Sequence, residues 1–466
     1  MYLELDQKDC MSTAIIDSNG SQVTYGELMC FAQEFKKVIG KRTLIFVLSR
    51  NCIGAAIGYL GAMMNNIVPL LLGATMDIKL LEALVQIYRP SYLWKPEDMV
   101  LENEAVVWKC HKYALTVTGL ESYPLYEDLS LLLTTSGSTG SPKLVRHSYA
   151  NLEAQARNIS AFFELNEMER PMLDLPIHYT YGLSVLNSHL YSGATVLLTD
   201  MNVLDPKYWQ FLKKKEATSF TNVPYAYEIL KKLRIFSMDL PSVHTFSQGG
   251  GKLSEDLHRE FAEYAERTGK RFIVTYGQTE GSARMAYLPS EYALKKCGSI
   301  GKAIPNGRLF VVDEQGQEIT EPDMVGEMVY EGPNVTLGYA QKGTDLLLGD
   351  ERHGRLYTGD MVRRDQDGFF YIVGRKKRFL KLCGFRVGLD ECENMIKMEF
   401  DVECACVGND RCMYIYVTTQ EKHEEIKHYI SQKTHINSTF FDVRFIEQIP
   451  RNEAGKILYG QLETTL

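Results

Sequence analysis

A loop rich in hydroxyl groups and glycine follows a run of leucines near residue 130 and ends in a lysine. Residues 134 to 143 read Thr-Thr-Ser-Gly-Ser-Thr-Gly-Ser-Pro-Lys. Glycines let backbone N–H groups approach an anion closely, hydroxyls add donors, and a lysine adds positive charge. The sequence therefore predicts a phosphate-binding loop with the ligands Thr135, Ser136, Gly137, Ser138, Thr139, Gly140 and Lys143.

The spacing of this loop differs from that of P-loop nucleotidases, which need G-x-x-x-x-G-K-[ST] at the start of a helix. Pro142 disfavours helix for Ser141, and Leu144-Val145 continue as a strand would. We therefore expect the loop to join two strands. A mobile Ser/Gly linker is the alternative interpretation of the loop taken alone.

Five further motifs follow the loop in order along the chain. They are Phe246-Ser247-Gln248-Gly249-Gly250-Gly251, Tyr276-Gly277-Gln278-Thr279-Glu280, Tyr357-Thr358-Gly359-Asp360, Gly374-Arg375 through Gly384-Phe385-Arg386, and Pro450 through Lys456. Together with the loop, this set resembles the core signature of the adenylate-forming superfamily, which includes acyl-CoA synthetases, peptide-synthetase adenylation domains and luciferases. Weaker matches at residues 24–28 and 326–339 extend the resemblance over nearly the whole chain.

The resemblance implies attack of a carboxylate on the α-phosphorus of ATP, with release of pyrophosphate. Glu280 would hold Mg²⁺, and Thr279 would donate to the α-phosphate. Tyr276 would offer a flat apolar face to adenine. The remaining contacts of this region with ATP or AMP are assigned to Gly250, Gly251, Gly277 and Gln278. Taken alone, the motif that ends at Glu280 could be a solvent-facing turn.

The resemblance also assigns roles to residues near the C-terminal end. Asp360 would accept hydrogen bonds from the ribose hydroxyls with help from Arg375, although a Gly-Asp pair is also common in turns. Lys456 would stabilise the charge that builds during adenylation. Lys377 would be the hinge about which a C-terminal lid swings between the two half-reactions.

The segment from Leu175 to Val185 is the best marker of the acyl pocket. In amino-acid adenylation domains an aspartate stands at the position that aligns with Gly182, where it pairs with the substrate ammonium. Glycine cannot do so, which favours an acid without an α-amino group, such as a fatty or aryl acid. His178 either positions this acid or packs beside Tyr181, and the sequence favours neither.

The sequence predicts an acid–thiol ligase that is AMP-forming and uses ATP and Mg²⁺. The acceptor would be coenzyme A or a phosphopantetheine carrier protein supplied in trans. Two alternatives stay open: a nucleotide-binding protein of the same fold with impaired catalysis, and an amino-acid-activating domain. Leu144, where the family usually has glycine, Tyr149, where it usually has histidine, and a shortened lid keep the first alternative open.

Apolar segments that alternate with amphipathic ones predict an α/β fold with mixed, largely parallel sheets flanked by helices. From about Arg308, short strands with turn signals predict a β-rich subdomain. We expect an N-terminal AMP-binding domain over residues 1–376 and a small mobile α+β C-terminal lid domain over residues 377–466. The basic residues Lys376 and Arg378 beside the hinge have a solvated patch as their simplest interpretation.

The composition excludes several classes of protein. The net charge of −8 over 466 residues argues against a nucleic-acid partner. The most apolar stretch, residues 53–73, contains Asn65-Asn66 and Pro69, so we expect a buried helix and a strand instead of a membrane span. Ten scattered cysteines without a C-x-x-C pair, and an N-terminus without signal-peptide features, predict a cytoplasmic location.

Overall fold

A computed structural model describes residues 1–134, 143–376, 378–382, 385–409, 411–452 and 455–463. The predicted phosphate-loop residues Thr135 to Gly140 and the predicted hinge residue Lys377 lie outside the described residues. The described residues divide into two compact units. Unit 1 contains the described residues of 1–308 together with Tyr330–Leu356, and unit 2 contains Leu309–Val329 and the described residues from Tyr357 onward. The predicted boundary between residues 376 and 377 stays a prediction.

The strands of the described residues are β1 (Thr13–Asp17), β2 (Gln22–Thr24), β3 (Leu44–Ser49), β4 (Val68–Gly73), β5 (Tyr92–Pro96), β6 (Ala105–Cys110), β7 (Tyr113–Val117), β8 (Leu129–Thr134), β9 (Leu144–Ser148), β10 (Pro171–Leu173), β11 (Val196–Leu198), β12 (Ser219–Asn222), β13 (Thr245–Gln248), β14 (Arg271–Tyr276), β15 (Ala286–Leu288), β16 (Lys302–Ala303), β17 (Arg308–Val312), β18 (Glu318–Ile319), β19 (Val325–Glu331), β20 (Gly338–Ala340), β21 (Arg355–Arg364), β22 (Phe370–Arg375), β23 (Phe379–Leu382), β24 (Phe385–Gly388), β25 (Cys404–Asn409), β26 (Cys412–Val417) and β27 (Phe441–Phe445).

The α-helices are α1 (Tyr25–Ile39), α2 (Ile53–Met64), α3 (Ile78–Tyr88), α4 (Tyr149–Phe163), α5 (Thr180–Tyr191), α6 (Pro206–Lys214), α7 (Pro224–Lys232), α8 (Glu255–Thr268), α9 (Leu389–Phe400), α10 (His423–Thr434) and α11 (Tyr459–Glu463). Short 3₁₀ turns lie at Tyr2–Gln7, Glu97–Met99, Ile235–Ser237, Thr279–Gly281, Ser290–Tyr292, Gly343–Leu347 and Ser438–Phe440.

Two large mixed sheets form the framework of unit 1. One has the order β16-β15-β14-β13-β12-β10-β11-β1-β2, in which the strands from β14 to β1 are parallel and the outer strands are antiparallel. The other has the order β20-β9-β8-β4-β3-β5-β7-β6, with a parallel centre from β8 to β5. Parallel strands place their carboxyl ends at one edge, where ligands bind in such sheets. The predicted fold class is confirmed.

Smaller sheets follow in the second half of the chain. A five-stranded sheet has the order β18-β17-β19-β21-β22. It corresponds to the β-rich subdomain that the sequence predicted from about Arg308. In unit 2, the hairpin β23-β24 and the sheet β25-β26-β27 accompany α9 and α10. Helix α10 begins at His423, after a turn in which the Glu421 N–H donates to the Thr419 hydroxyl at 3.4 Å.

Helix α2 shows how local sequence sets a buried element. The helix is buried along nearly its whole length, and three of its buried residues are glycines, which let neighbouring side chains approach its backbone. At Gly58 a Cβ atom would lie 2.1 Å from Nε1 of the buried Trp94, and that nitrogen donates to the Gly54 carbonyl at 2.8 Å. The prediction of a buried helix followed by a strand over 53–73 is confirmed by α2 and β4. Among the described residues, every helix is too short or too polar to span a membrane.

Candidate active site

The strands on either side of the predicted phosphate loop are hydrogen-bonded neighbours. Strands β8 and β9 are antiparallel, and Thr134 pairs with Leu144. The expectation that the loop joins two strands is therefore confirmed, although the loop itself lies outside the described residues. Leu144, where the family usually has glycine, points into the core and is fully buried. Lys143 is exposed, and its Nζ lies 5.4 Å from the ring centroid of Tyr339.

The turn that carries Thr279 and Glu280 begins where β14 ends, at the carboxyl edge of the parallel sheet. The backbone folds back tightly here, so that the Ala283 N–H donates to the Gln278 carbonyl at 3.1 Å. At Gly277 a Cβ atom would lie 1.5 Å from the Ala283 oxygen. Only glycine fits at this position, which explains one residue of the motif by geometry.

Both polar side chains of this turn have partners from other elements. The Tyr339 hydroxyl donates to the Glu280 carboxylate at 2.6 Å. The Thr180 hydroxyl, at the start of α5, donates to Thr279 Oγ1 at 2.9 Å. Burial, followed by the charge of Glu280, raises the pKa of Tyr339 to about 12, so this hydroxyl keeps its proton and remains a donor.

A second layer of contacts fixes the backbone of this turn. The Glu280 carbonyl accepts hydrogen bonds from the Thr336 N–H and hydroxyl, each at 3.0 Å. The guanidinium of Arg352 stacks on the Tyr339 ring at 4.6 Å and also donates to the Thr336 hydroxyl. Thr180, Thr336, Tyr339 and Arg352 were missed as site residues at the sequence level. Only the weak match around Gly338-Tyr339 pointed to this segment.

The glycine motif lies beside the same sheet edge. Gly250 follows β13 with φ +79°, a conformation that favours glycine. A Cβ atom at the neighbouring Gly249 would meet the Tyr181 hydroxyl at 2.7 Å. Tyr276 is half-buried at the end of β14, and its hydroxyl accepts a hydrogen bond from Gln278 Nε2 at 3.2 Å. Gly250, Gly251, Tyr276 and Gln278 thus lie near the ends of two adjacent strands.

His178 lies at the ends of two strands of the other sheet. Its Nδ1 lies 3.1 Å from the Ser49 hydroxyl at the end of β3, and a Cβ atom at Gly73, the end of β4, would meet its ring at 3.1 Å. Its ring contacts that of Tyr179, with the centroids 4.5 Å apart and the planes tilted by 41°. The packing interpretation named Tyr181, whereas the ring contact of His178 in the structure is with Tyr179. The positioning of the acid by His178 stays a prediction.

Unit 2 contains the remaining predicted residues. Asp360 and Arg375 are cross-strand partners on β21 and β22, and Arg375 Nε lies 2.5 Å from the Asp360 carboxylate. The carboxylate side chain is buried, whereas Arg375 is exposed. Lys456 is exposed on a turn, where its N–H donates to Asn452 Oδ1 at 2.9 Å.

The basic residues beside the predicted hinge take part in ion pairs. Lys376 Nζ lies 2.6 Å from a Glu327 carboxylate oxygen. Arg378 is half-buried, bonds to the carboxylates of Asp390 and Glu393, and donates to the Cys406 carbonyl at 2.7 Å. Arg378 therefore stabilises unit 2 from within and does not form the solvated patch that we expected from the sequence.

Comparison with known proteins decides what this set of residues belongs to. A family model described as AMP-binding enzyme matches residues 6–340, well over half of the chain. The chain belongs to the AMP-binding enzyme family. The predicted membership of the adenylate-forming group is confirmed, and with it the prediction of an AMP-forming acid–thiol ligase that uses ATP.

Relatives of this AMP-binding enzyme include acyl-CoA ligases with different acids. It is 26% identical to 2-succinylbenzoate–CoA ligase of Oceanobacillus iheyensis over 96% of this chain and 95% of that protein. It is 29% identical to long-chain-fatty-acid–CoA ligase of Salmonella typhimurium over 72% of this chain and 61% of that protein. Its fold resembles o-succinylbenzoate coenzyme A synthetase from Bacillus subtilis, solved in complex with ATP and a magnesium ion, with a TM-score of 0.78, 21% identity and 99% coverage of both chains.

Proposed function

We propose that this AMP-binding enzyme converts a carboxylic acid without an α-amino group to an acyl-adenylate and then transfers the acyl group to coenzyme A. The observation that carries the proposal is the anchoring of Thr279 and Glu280 at the carboxyl edge of β14 by Thr180 and Tyr339. Both side chains are held before any substrate arrives, so little reorganisation is needed during the reaction.

The donor chemistry of the site suits Mg²⁺ and ATP. Among the described residues, no cluster of three or more His, Cys, Asp or Glu side chains could hold a metal by itself. Mg²⁺ is typically bound through one or two carboxylates together with substrate phosphates, and Glu280 can supply one such carboxylate. Bound Mg²⁺ would neutralise part of the phosphate charge. Lys143 would add a positive charge near the same phosphates, and Thr279 would donate to the α-phosphate.

In unit 2, the proposed roles rest on charge and burial. The Asp360 carboxylate is only 3% exposed and its geometry is set by Arg375, so it can accept hydrogen bonds from two vicinal hydroxyls such as those of ribose. Lys456 is exposed on its turn and can supply a cation to the attacking carboxylate and the α-phosphate. Lys377 as hinge remains part of the proposal.

The identity of the acid is limited by Gly182 in the first turn of α5. A Cβ atom at this position would lie 2.4 Å from the Pro176 carbonyl oxygen and 2.7 Å from that of Leu175. An aspartate could not be accommodated here without a shift of the backbone, so the ammonium-pairing group of amino-acid-activating domains is sterically excluded. A buried, unpaired ammonium is costly, which supports an acid lacking this group.

Coenzyme A is the proposed acceptor because the relatives compared above are coenzyme A ligases acting on two different acids. A carrier protein supplied in trans is the second candidate acceptor. The cytoplasmic location predicted from the cysteine pattern also stays a proposal. The nine described cysteines are all free thiols, which fits a reducing compartment.

The test is carboxylate-dependent ATP–pyrophosphate exchange with fatty, aryl and amino acids, followed by AMP release with coenzyme A or with a holo-carrier protein. We expect exchange with simple acids and turnover with coenzyme A. Strong exchange with alanine or phenylalanine, and none with their deaminated counterparts, would contradict the assignment of the acid. Nucleotide binding without exchange for any acid would instead support the catalytically impaired protein.

A further inference from the structure

A buried layer of unit 1 is unusually polar. Strands β12 and β13 place Ser219 beside Thr245 and Thr221 beside Ser247. Side chains two residues apart on a strand point to the same face, so these four hydroxyls share one face of the sheet. All four are buried, and the cavity lined by Ser219, Thr221 and Thr245 is also lined by His189 of α5. The layer between sheet and helix therefore contains hydroxyl and imidazole groups where apolar side chains usually pack.

Several polar atoms of this layer have no hydrogen-bond partner among the residues that the structure describes. They are the hydroxyls of Ser219 and Ser247, Nε2 of His189, and Nε and Nη1 of Arg284. Leaving such atoms unsatisfied costs roughly 1–3 kcal/mol each, more for charged groups. The cavity has room for about one water molecule, which makes about three hydrogen bonds. It suits the polar end of a ligand better than a whole acyl chain.

Arg284 is the residue of this layer that most clearly indicates a bound anion. It is 1% exposed, and its guanidinium lies between the rings of Phe163 and Tyr181, 5.2 and 5.0 Å from their centroids. No carboxylate of the described residues pairs with it. Arg146 is equally buried but is paired with Glu351 and with three backbone carbonyls. The hydrogen-bond partner of Arg284 is the neutral hydroxyl of Tyr181, and a buried guanidinium without a counter-charge is costly unless an anion joins it.

The other two charged side chains that line the cavity, Glu169 and Arg271, already have hydrogen-bond partners. Glu169 accepts a hydrogen bond from the Thr218 hydroxyl and lies 3.5 Å from Nε2 of His244. Arg271 donates to the Thr245 hydroxyl at 3.1 Å and to Glu164 at 3.2 Å. Since these groups already have partners, and Arg284 has no counter-charge in the described part of the chain, Arg284 is the cation of the cavity that is left for an anionic ligand.

The position of Arg284 connects this cavity with the candidate active site. Arg284 follows Glu280 by four residues, and the Tyr181 hydroxyl beside it lies 3.4 Å from that of Thr275 on β14. From Gln248 at the carboxyl edge to Thr245, β13 spans three residue steps, roughly 10 Å at about 3.3 Å per residue. An acid whose reacting carboxylate lies at the edge could extend along α5 toward Arg284.

We propose that Arg284 binds a second carboxylate at the far end of the acid, so that the enzyme activates dicarboxylic acids. The inference rests on the proposed function, because it assigns the far end of the acyl pocket of that same site. Arginine donates strong charge-assisted hydrogen bonds to a carboxylate, and the hydroxyls of Ser219 and Ser247 would add neutral donors in the same layer.

The test compares α,ω-dicarboxylic acids and aryl dicarboxylic acids with monocarboxylic acids of the same carbon number in ATP–pyrophosphate exchange. We expect the wild-type enzyme to prefer the dicarboxylic acids in kcat/KM. Arg284→Met should lower the ratio of dicarboxylic to monocarboxylic kcat/KM by about 10- to 100-fold, the scale of one charge-assisted hydrogen bond. Because the ratio is measured within one variant, it does not depend on the fraction of folded protein.

Arg42→Met is the matched control, since Arg42 is a partly buried arginine of the same unit that lies outside the cavity and donates to the Tyr126 and Leu129 carbonyls. This variant should leave the ratio unchanged. An unchanged ratio in Arg284→Met, or a wild-type preference for monocarboxylic acids, would overturn the anion site while leaving the ligase intact. If no acid supports exchange, the proposed function fails instead. The Tm of the wild type, measured with and without each dicarboxylic acid, then decides the anion site by itself: a rise that Arg284→Met abolishes supports it, and no rise refutes it.

Discussion

At Tyr339 one side chain connects three charges from separate parts of the sequence. Its hydroxyl donates to the Glu280 carboxylate, and its ring makes cation–π contacts with Arg352 and with Lys143. The loop lysine and the motif glutamate are more than a hundred residues apart, so their proximity depends on β9 pairing with β20, which contains Tyr339. Under the proposed function, Tyr339 would therefore organise the phosphate and metal site without contacting either ligand.

Tyr339→Phe should lower the rate of adenylation by about tenfold and raise the Mg²⁺ concentration needed for half-maximal rate. The substitution keeps the ring that carries both cations but removes a hydrogen bond to a carboxylate, which is typically worth about 1.5–3 kcal/mol. The measurement is pyrophosphate exchange over a Mg²⁺ titration. Tyr25→Phe removes a buried hydroxyl that donates to the Ala194 carbonyl at 2.8 Å and is the control. Equal effects of the two variants would contradict the role of Tyr339.

Lys456→Ala should lower adenylation by about two to three orders of magnitude, the scale for removing one preorganised charge at a reacting centre. Transfer from preformed acyl-adenylate to the thiol should survive, because the charge that Lys456 would stabilise under the proposed function builds only in the first step. Single-turnover assays of the two half-reactions separate these effects. Equal losses in both would show that Lys456 acts on folding or on a shared step.

At the scale of elements, the sequence predicted those whose signals are local. Helix α2 lies in the apolar stretch where a buried helix was predicted and ends at Met64, just before Asn65-Asn66, and β9 follows Pro142 as expected. The motif glycines could also be recognised in the sequence, since the close approach at Gly277 demands glycine at that position.

The role of Arg284 could not be predicted from the sequence, because its burial between Phe163 and Tyr181 depends on the packing of α4 against α5. Arg378 was misread for the same reason: its partners lie on α9 and β25.

Gly58→Ala should destabilise unit 1 by about 1–3 kcal/mol, the usual cost of overpacking a core. The added methyl group would collide with Trp94, which packs against the rings of Phe31 and Phe35 and cannot easily move. Urea unfolding followed by tryptophan fluorescence measures the change. Gly374→Ala, where a Cβ atom meets nothing within 4 Å, should be close to neutral. A neutral Gly58→Ala would mean that Trp94 has room to shift.

At the scale of the whole molecule, buried histidines link stability to pH. Burial, followed by the charge of Arg352, lowers the pKa of His147 to about 3, and burial likewise lowers the pKa of His189 to about 3. The unfolded chain binds these protons below about pH 6.5 and the folded chain does not, so stability is lost as pH falls from about 6.5 toward 3. Asp174 acts in the opposite direction, because burial raises its pKa to about 7.

The contribution of one histidine can be isolated by substitution. His147→Asn should reduce the loss of stability between pH 7.5 and 5.5 by about 1.4 kcal/mol, since one histidine contributes roughly that amount per pH unit below about 6.5. The measurement is the urea midpoint of the wild type and the variant at the two pH values. His189 and Asp174 are unchanged in both proteins and cancel in the comparison. Parallel pH dependences would show that His147 is protonated in the folded state.

The division of the chain into Leu309–Val329 and a later C-terminal part has a consequence for synthesis on the ribosome. In the five-stranded sheet, β19 lies between β17 and β21, yet β21 ends 33 residues after β19 does. At a translation rate of about 5–20 residues per second, one edge of β19 stays unpaired for a few seconds before β21 is synthesised. This interval exposes the nascent chain to mispairing with a neighbouring chain on the same messenger, and slower translation between Gly332 and Arg364 would lengthen it.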